Sequence, residues 1–439
     1  MKSDRRVPVA IVGGGASGTI LAAQLAMRGV DSALIDGSGR VGRGVAYSTT
    51  EPVHLLNVPA EGMSAVAGDP DHFANRFAAE GGEPGGFAQR RLFGRYLGEI
   101  LDQAIDSGHT QVVAASAVGA QRTEGRWRIE LNDGTALDAA AVALAIGNQE
   151  PEPLLSFNDA QRRYLPNPWG SEARAAVREL SESGGDVLLI GTGLTMVDLA
   201  LSLDAAGFGG SITALSRRGQ VPRSHADFEP APVEANEVPH GRLSETWRWL
   251  RRRSAAVGWR AAIDSLRPHS HGLWQSMDAD EQRRFLRHAR AWWDVHRHRI
   301  APEVAATIKR MIAEGRLRVM AGRVLSASES SDAVEVEIRR RGAESSQQMI
   351  FGYAINCTGP LHAIARSHDP LIRAVLDGNE AVPDQLGIGL QADEKSRVGE
   401  RLWALGPLTK GRYWEIIAVP DIREQAAVVA DDIAQELQA

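Results

Sequence analysis

Residues 7–36, VPVAIVGGGASGTILAAQLAMRGVDSALID, constrain the rest of the chain more than any other stretch. An apolar run ends in Gly13-Gly14-Gly15-Ala16-Ser17-Gly18, an apolar segment of helical length follows, and a second apolar run stops at Asp36. Strand, glycine turn, helix, strand and acid in that order describe a dinucleotide-binding βαβ unit. Gly13 permits the turn, Gly15 lets backbone approach a pyrophosphate, and Gly18 lets the helix lie close on the strand. The pyrophosphate would rest on the free N–H groups and positive dipole end of a helix starting at Ala16 and Ser17. Asp36 is placed to accept hydrogen bonds from an adenosine ribose.

The pattern recurs once. Residues 186–190 read as a strand, Gly191-Thr192-Gly193-Leu194-Thr195-Met196 as the turn, 197–203 as a helix and 212–215 as a second strand. Two such turns imply two nucleotides. Met196 stands where a third glycine would be, so this helix and strand cannot approach as closely. The second strand ends in Ser216-Arg217-Arg218, where the first unit has Asp36. An acid there suits a free 2′-hydroxyl, whereas guanidinium groups suit a 2′-phosphate. FAD is therefore expected on the first unit and NADPH on the second, with Gly191, Gly193, Leu194, Thr195, Arg217 and Arg218 as contacts.

A chain of 439 residues exceeds one simple core and calls for two or three domains. Its net charge of −6 supplies no field that would draw it to nucleic acid or an anionic membrane. The first apolar run is already the nucleotide-binding strand, and no window reads as a membrane span, so a cytoplasmic location is the expectation. Cys357 is the single cysteine, which excludes an internal disulfide and every two-cysteine redox motif; it reads as a small buried hydrophobe.

Residues 37–65 are too rich in glycine and small polar residues for a regular element, yet hold Tyr47, His54, Asn57 and Met63. Such a loop would lie along the bound nucleotide toward its reactive ring, with Tyr47 and Met63 as cofactor contacts. Asn57 can both donate to and accept from a flavin edge and is the one candidate catalytic residue; anchoring the loop is its alternative role. Residues 71–103 read as two helices split by glycines 81–86. Residues 112–145 alternate as a three-stranded meander with a hairpin turn at Asn132-Asp133-Gly134, and the closing strand ends at Gly147. The proline-rich stretch 150–170 reads as a linker. A second meander (317–339) and closing strand (349–360) follow the second unit, ending in Gly359-Pro360. The tail gives a strand, a turn at Gly406, a Trp-rich loop and a final helix. That helix, starting near Asp421 behind Val419, would aim its amides at the pyrimidine end of a flavin.

Residues 221–313 fit neither unit and hold six of the ten tryptophans and seven of the twelve histidines. Phe285, Ala289, Trp292, His296 and Ile300 recur at intervals of three and four, the face of one helix ending at Pro302. The histidine pairs 269/271 and 296/298 lie two apart and diverge on a helix, so no metal site is expected. The arginines of 248–253 and 283–299 read as solvated faces, of which some could meet an anionic substrate or the NADPH phosphates.

The resulting expectation is an α/β chain of two Rossmann-like dinucleotide-binding domains with a helical insertion. The FAD domain is split (1–160 and 355–439), the NAD(P)H domain is inserted (161–220 and 314–354), and 221–313 form the helical subdomain. The motifs Gly44-Val45-Ala46-Tyr47-Ser48, His54-Leu55-Leu56-Asn57-Val58-Pro59-Ala60, Met63-Ser64-Ala65, Trp293-Asp294-Val295-His296-Arg297-His298-Arg299 and Asn356-Cys357-Thr358-Gly359-Pro360, with the second turn through Asp198, resemble a family of bacterial FAD/NAD(P)-binding flavoproteins. That family is related to the N-hydroxylating, class B flavin monooxygenases. The resemblance implies FAD, NADPH, molecular oxygen and a small amine-like or sulfur-containing substrate, oxygenated through a C4a-hydroperoxyflavin. A flavin oxidoreductase or dehydrogenase that never activates oxygen is the alternative.

Overall fold

The computed structural model describes residues 5–160, 162–361 and 363–438. In the first unit, β1 (Arg5–Val12) pairs in parallel with β2 (Ser32–Ile35), which pairs with β3 (Thr110–Val113). The meander β4 (Ala117–Thr123), β5 (Arg126–Leu131) and β6 (Ala136–Leu144) follows, and β6 returns to pair in parallel with β1. Val9 and Ile11 of β1 face one apolar layer while Ala10 and Val12 face the other, as expected for a strand buried on both sides. The helices Ala16–Met27 and Arg90–Asp106 cover the first face, and the meander covers the second.

The second sheet repeats the plan. Around β8 (Val187–Ile190) lie β7 (Tyr164–Leu165), β9 (Ile212–Ser216), β10 (Leu317–Glu329), β11 (Val334–Arg340), β12 (Gln347–Phe351) and β13 (Tyr353–Asn356). Their order is β12-β11-β10-β9-β8-β13-β7, with only the β10–β12 meander antiparallel. The helices Leu194–Ala205 and Pro302–Ala313 share one apolar layer on this sheet. The chain then returns to the first sheet: β14 (Arg397–Gly399) and β15 (Leu402–Ala404) extend its β6 edge. The final helix, Val419–Gln438, packs with Ala16–Met27. Two Rossmann-like α/β units, the first split around the second, match the expected class.

The insertion is helical, but its long helix departs from the sequence reading. Residues 279–297 are helical and contain one π turn, Phe285–Ala289. The extra residue advances the buried face by one position, so Phe285, Ala289 and Trp293 are buried while Trp292 is 40% exposed. The helix stops at Arg297, and Pro302 opens the next helix instead of ending this one, its fixed φ and missing N–H fitting the first helical position. The arginines also differ from expectation. Arg299 is buried and Arg297 half-buried, each beside a carboxylate, and Arg253 donates to the carbonyls of Ala231 and Pro232 at 2.6 and 3.0 Å.

Candidate functional site

At the first turn Gly13 has φ +106°, and a Cβ there would press on the Ala145 carbonyl. A Cβ on Gly18 would strike the carbonyl of Gly13, which is why helix and strand can lie so close. Gly15 precedes the helix, whose first turn carries no side-chain cap and no acid, leaving its positive end for an external anion. Above Gly15 the nearest atom is Gly44 Cα, 3.5 Å from a built Cβ, so the glycines bound a backbone-walled slot. Asp36 does more than the sequence suggested. Its Oδ2 accepts from the Gly14 amide at 2.7 Å and its Oδ1 from the Ser38 amide at 2.8 Å, so one carboxylate also fixes the turn.

Other candidates of this unit separate into two groups. Gly147 (φ +71°) and Gly359 (φ +91°), the latter followed by Pro360, are half-buried with open space where a Cβ would sit. Gly406 brings the return segment onto the first turn: its amide donates to Gln425 Oε1 at 2.8 Å, and a Cβ there would lie 3.1 Å from Ser17 Oγ. Ala16 is half-buried and Ser17 buried. Met63 and Val419, by contrast, are 3% and 1% exposed within the apolar layer behind the turn. Tyr47 packs edge-on to Phe93 at 4.7 Å, and burial pushes its phenol up to about 12 against the opposing charge of Arg90.

In the second turn Gly191 (φ +120°) is pressed against the Cys357 carbonyl, as Gly13 is against Ala145. Gly193 is exposed, has open space where a Cβ would sit, and precedes a helix that again lacks a side-chain cap and an acid in its first turn. Leu194 and Thr195 are half-buried at that helix start, and Met196 is fully buried in the apolar layer. The two arginines part company. Arg217 is exposed, while Arg218 donates to the His288 carbonyl at 3.2 Å and lies 5.8 Å from the Trp292 ring centre. Cys357 is buried, and burial, with Asp198 adding, holds its thiol far above the ordinary range.

The two units are fastened to each other beside Asn57. Arg90 grips Asp198 with two nitrogens at 2.7 and 3.0 Å, joining the helix Arg90–Asp106 to the helix Leu194–Ala205. His54 is sewn between Thr49, at 2.9 Å, and Ser202 Oγ, at 3.0 Å. Between these fasteners lies a small, partly open cleft, lined by Leu56 and Asn57 from the first unit and by Leu194, Val197, Ile300 and Ala301 from the second. His225 Nε2 pairs with the Asn57 carbonyl at 3.0 Å. These fasteners escaped sequence reading because Arg90 and Asp198 lie 108 residues apart.

A further small cleft lies where the return segment faces Gly147, Asn148 and Gln149, and Lys410 lines it. Burial, with Arg290 adding and Asp294 opposing, lowers the Lys410 ammonium to about 8; its Nζ reaches Asn148 Oδ1 at 3.3 Å. Beside it the insertion docks on the return segment. Trp293 Nε1 donates to Glu415 Oε1 at 2.6 Å, Arg297 Nε to Glu415 Oε2 at 3.1 Å, and Trp274 Nε1 to the Gly411 carbonyl at 2.8 Å. Burial works to raise the Glu415 carboxyl, yet Arg297, His298 and the Trp293 indole together hold it below the ordinary range.

Paired nucleotide turns, split and nested sheets and a return helix define the architecture of flavoproteins with two dinucleotide-binding domains. Residues 10–149 match the family model described as FAD-NAD(P)-binding. No curated protein matches the chain. Among solved structures, an L-lysine 6-monooxygenase from Pseudomonas syringae superposes with a TM-score of 0.70 at 14% identity, over 98% of this chain and 99% of that one. An ornithine N-hydroxylase from Kutzneria sp. 744 gives 0.68 at 16% identity over 98% and 99%. The thioredoxin reductase of T. acidophilum gives 0.58 at 12% identity over 99% and 100%. At such identities the likeness is one of fold. Among the described residues no helix is long and apolar enough to cross a membrane.

Proposed function

We propose that the protein is an FAD-dependent, NADPH-using monooxygenase acting on a small molecule with a soft nucleophilic atom, an amine or a sulfur. The observation that carries this reading is the cavity at Asn57, where the loop of the first nucleotide unit meets the helix start of the second. A reductant on one turn and a flavin on the other would converge there. The residues fit both groups: each turn has glycines at its points of close approach, and each helix start is free of caps and acids. The Kutzneria structure is described as holding reduced FAD, NADP⁺ and L-ornithine, which supports the same pairing here.

Asp36 and the amides at Gly15, Ala16 and Ser17 would hold the FAD adenosine and pyrophosphate, and Asn57 would orient the flavin edge. Gly193, Leu194 and Thr195 would seat the NADPH pyrophosphate, with exposed Arg217 facing the 2′-phosphate. Bound flavin supplies the redox chemistry, taking two electrons from NADPH and passing them to molecular oxygen. The insertion, latched to the return segment through Trp274, Trp293 and Arg297, would help to exclude water from it. In balance, substrate, O₂, NADPH and a proton give oxygenated substrate, NADP⁺ and water. With Cys357 as its lone, buried cysteine, the chain has no dithiol for disulfide reduction, although reductases share the fold.

The test is turnover under isotopically labelled oxygen with a panel of amines and thioethers. Label in the product, in proportion to NADPH consumed, is the expected result. Steady NADPH oxidation with an artificial acceptor under anaerobic conditions, and no labelled product in air, would instead establish the oxidoreductase that does not activate oxygen.

A further inference from the structure

One residue before Ile300, which lines the Asn57 cleft, the chain buries cationic donors that no acceptor among the described residues satisfies. The Arg299 side chain is 5% exposed. Its Nη2 donates to both oxygens of Asp264, at 2.6 and 2.7 Å, while Nε and Nη1 have no acceptor among the described residues. Arg260, on the helix Trp259–Leu266, donates through Nη2 to the Ser224 carbonyl at 3.0 Å and lies 4.3 Å from the Trp259 ring centre; its buried Nε is likewise unpartnered. Proteins rarely leave buried charged donors empty, because the desolvation of each is then uncompensated.

The surrounding charge is mostly of one sign. Burial first, then Arg299 and Arg223, lowers the Arg260 guanidinium, as a gathering of like charges should. Burial, with Arg299 adding, pulls His225 down to about 4 against the Asn57 carbonyl and Asp264, so at neutral pH the imidazole adds no charge. Arg299, Arg260 and Arg223 thus gather in one place, where Asp264 pairs with Arg299. The place is fixed by backbone: Ile300 N donates to the Arg223 carbonyl and His225 N to the Ile300 carbonyl, each at 2.9 Å, while His225 also holds the Asn57 carbonyl. Asn57 and Ile300 themselves line the cavity.

We propose that Arg299, with Arg260, binds the carboxylate of a net-negative organic acid, which makes the substrate an anion bearing its soft atom elsewhere, as a thioether carboxylate does. This rests on the monooxygenase reading for the soft atom, and on the unpartnered guanidinium nitrogens for the acid. The seats proposed for the NADPH phosphates use Gly193 and Arg217 and none of these arginines, so the cluster is left for a different anion. A zwitterion would bring its ammonium group among the guanidiniums and is disfavoured.

The test uses FAD-loaded full-length protein and measures binding alone, by flavin absorbance and thermal shift, with (phenylthio)acetate, its methyl ester, glutarate and inorganic pyrophosphate. Both acids are expected to bind saturably and the ester not. Arg299→Lys, which keeps a charge beside Asp264 but loses the Nε and Nη1 donors, should weaken the acids by roughly tenfold or more, since each charged hydrogen bond is worth about that factor. NADP⁺ affinity, read by tryptophan quenching, should be unchanged. Arg260→Gln reports the same binding should Arg299→Lys disturb folding. Equal binding of acid and ester, or acid binding that neither variant weakens, overturns the proposal. So does a loss of NADP⁺ and pyrophosphate affinity in the variants, which would make the cluster a cofactor phosphate site. Because no oxygen chemistry enters the readout, a failed monooxygenase assay leaves this result standing, and the reverse.

Discussion

The two glycine turns of this chain are near copies in backbone, and of the positions where their residues differ the last, Gly18 against Met196, matters most to packing. Gly13 and Gly191 are both pressed against the carbonyl at the end of a neighbouring strand, and Gly15 and Gly193 both precede uncapped helices. At the third position Gly18 lies under a carbonyl that leaves no room for a Cβ, whereas Met196 fills an apolar layer. The comparison teaches that the third glycine is a packing residue. Where the helix stands off its strand, a large apolar side chain does the same work, and the anion seat at the helix start is preserved.

Exchanging the two residues would break the comparison most severely. Gly18→Met drives a side chain into backbone that cannot yield, and is expected to abolish FAD retention and destabilise the chain by more than about 3 kcal/mol. Met196→Gly opens a cavity and should cost about 3–5 kcal/mol while FAD content per folded protein stays constant. Thermal denaturation with flavin quantitation separates the two; equal FAD loss in both would show that the turns are not distinct.

The next effect concerns how each unit is closed. The first unit relies on the final helix, where Asp432, 2% exposed, accepts from Lys395 Nζ at 2.8 Å, Trp403 Nε1 at 2.9 Å and Arg397 Nε at 2.5 Å. Burial works to raise this carboxyl, but Arg397, Lys395 and Trp403 prevail and lower it from 3.8 to about 2. Because the folded value lies below the unfolded one, its stabilisation is complete above pH 3.8 and is lost as pH falls through about 2. Acid titration should therefore release FAD with a change in Trp403 emission, before the second sheet unfolds. Asp432→Asn is expected to cost about 3–5 kcal/mol at neutral pH and to remove that acid step.

Smaller effects sharpen the assignment of nucleotides. Replacing Arg217 and Arg218 by glutamine should raise the NADPH KM by roughly tenfold, leave NADH nearly untouched and spare FAD content. Loss of FAD would contradict the pairing of arginines with the second nucleotide. Asn57→Ala removes neutral hydrogen bonds from the place where the units meet, and should slow reduction of bound flavin by NADPH about three- to tenfold in rapid-mixing experiments. An unchanged rate would reduce Asn57 to a loop anchor.

Much of this organisation was legible in the sequence because it is local. The turns, the meanders and the strand-end contrast between Asp36 and Arg217-Arg218 each fall within about forty residues, where period and glycine placement carry the signal. What escaped is held by distant partners. Arg90 and Asp198, Trp293 and Glu415, and Trp274 and Gly411 are separated by more than a hundred residues. Arg299 read as part of a solvated arginine face; its burial depends on Asp264, thirty-five residues away, on a helix whose approach no local pattern announces. Met63 and Val419, expected along the cofactor, are both buried in the apolar layer behind the first turn.

The π turn at Phe285–Ala289 acts on everything downstream of it as a shift of reading frame acts on a message. Its one surplus residue decides that Trp293, and not Trp292, meets Glu415. The same residues wound as an uninterrupted α-helix would keep every side chain of this stretch and still offer Trp292, the wrong tryptophan, to the return segment. For this insertion, backbone register is therefore as strict a requirement as composition.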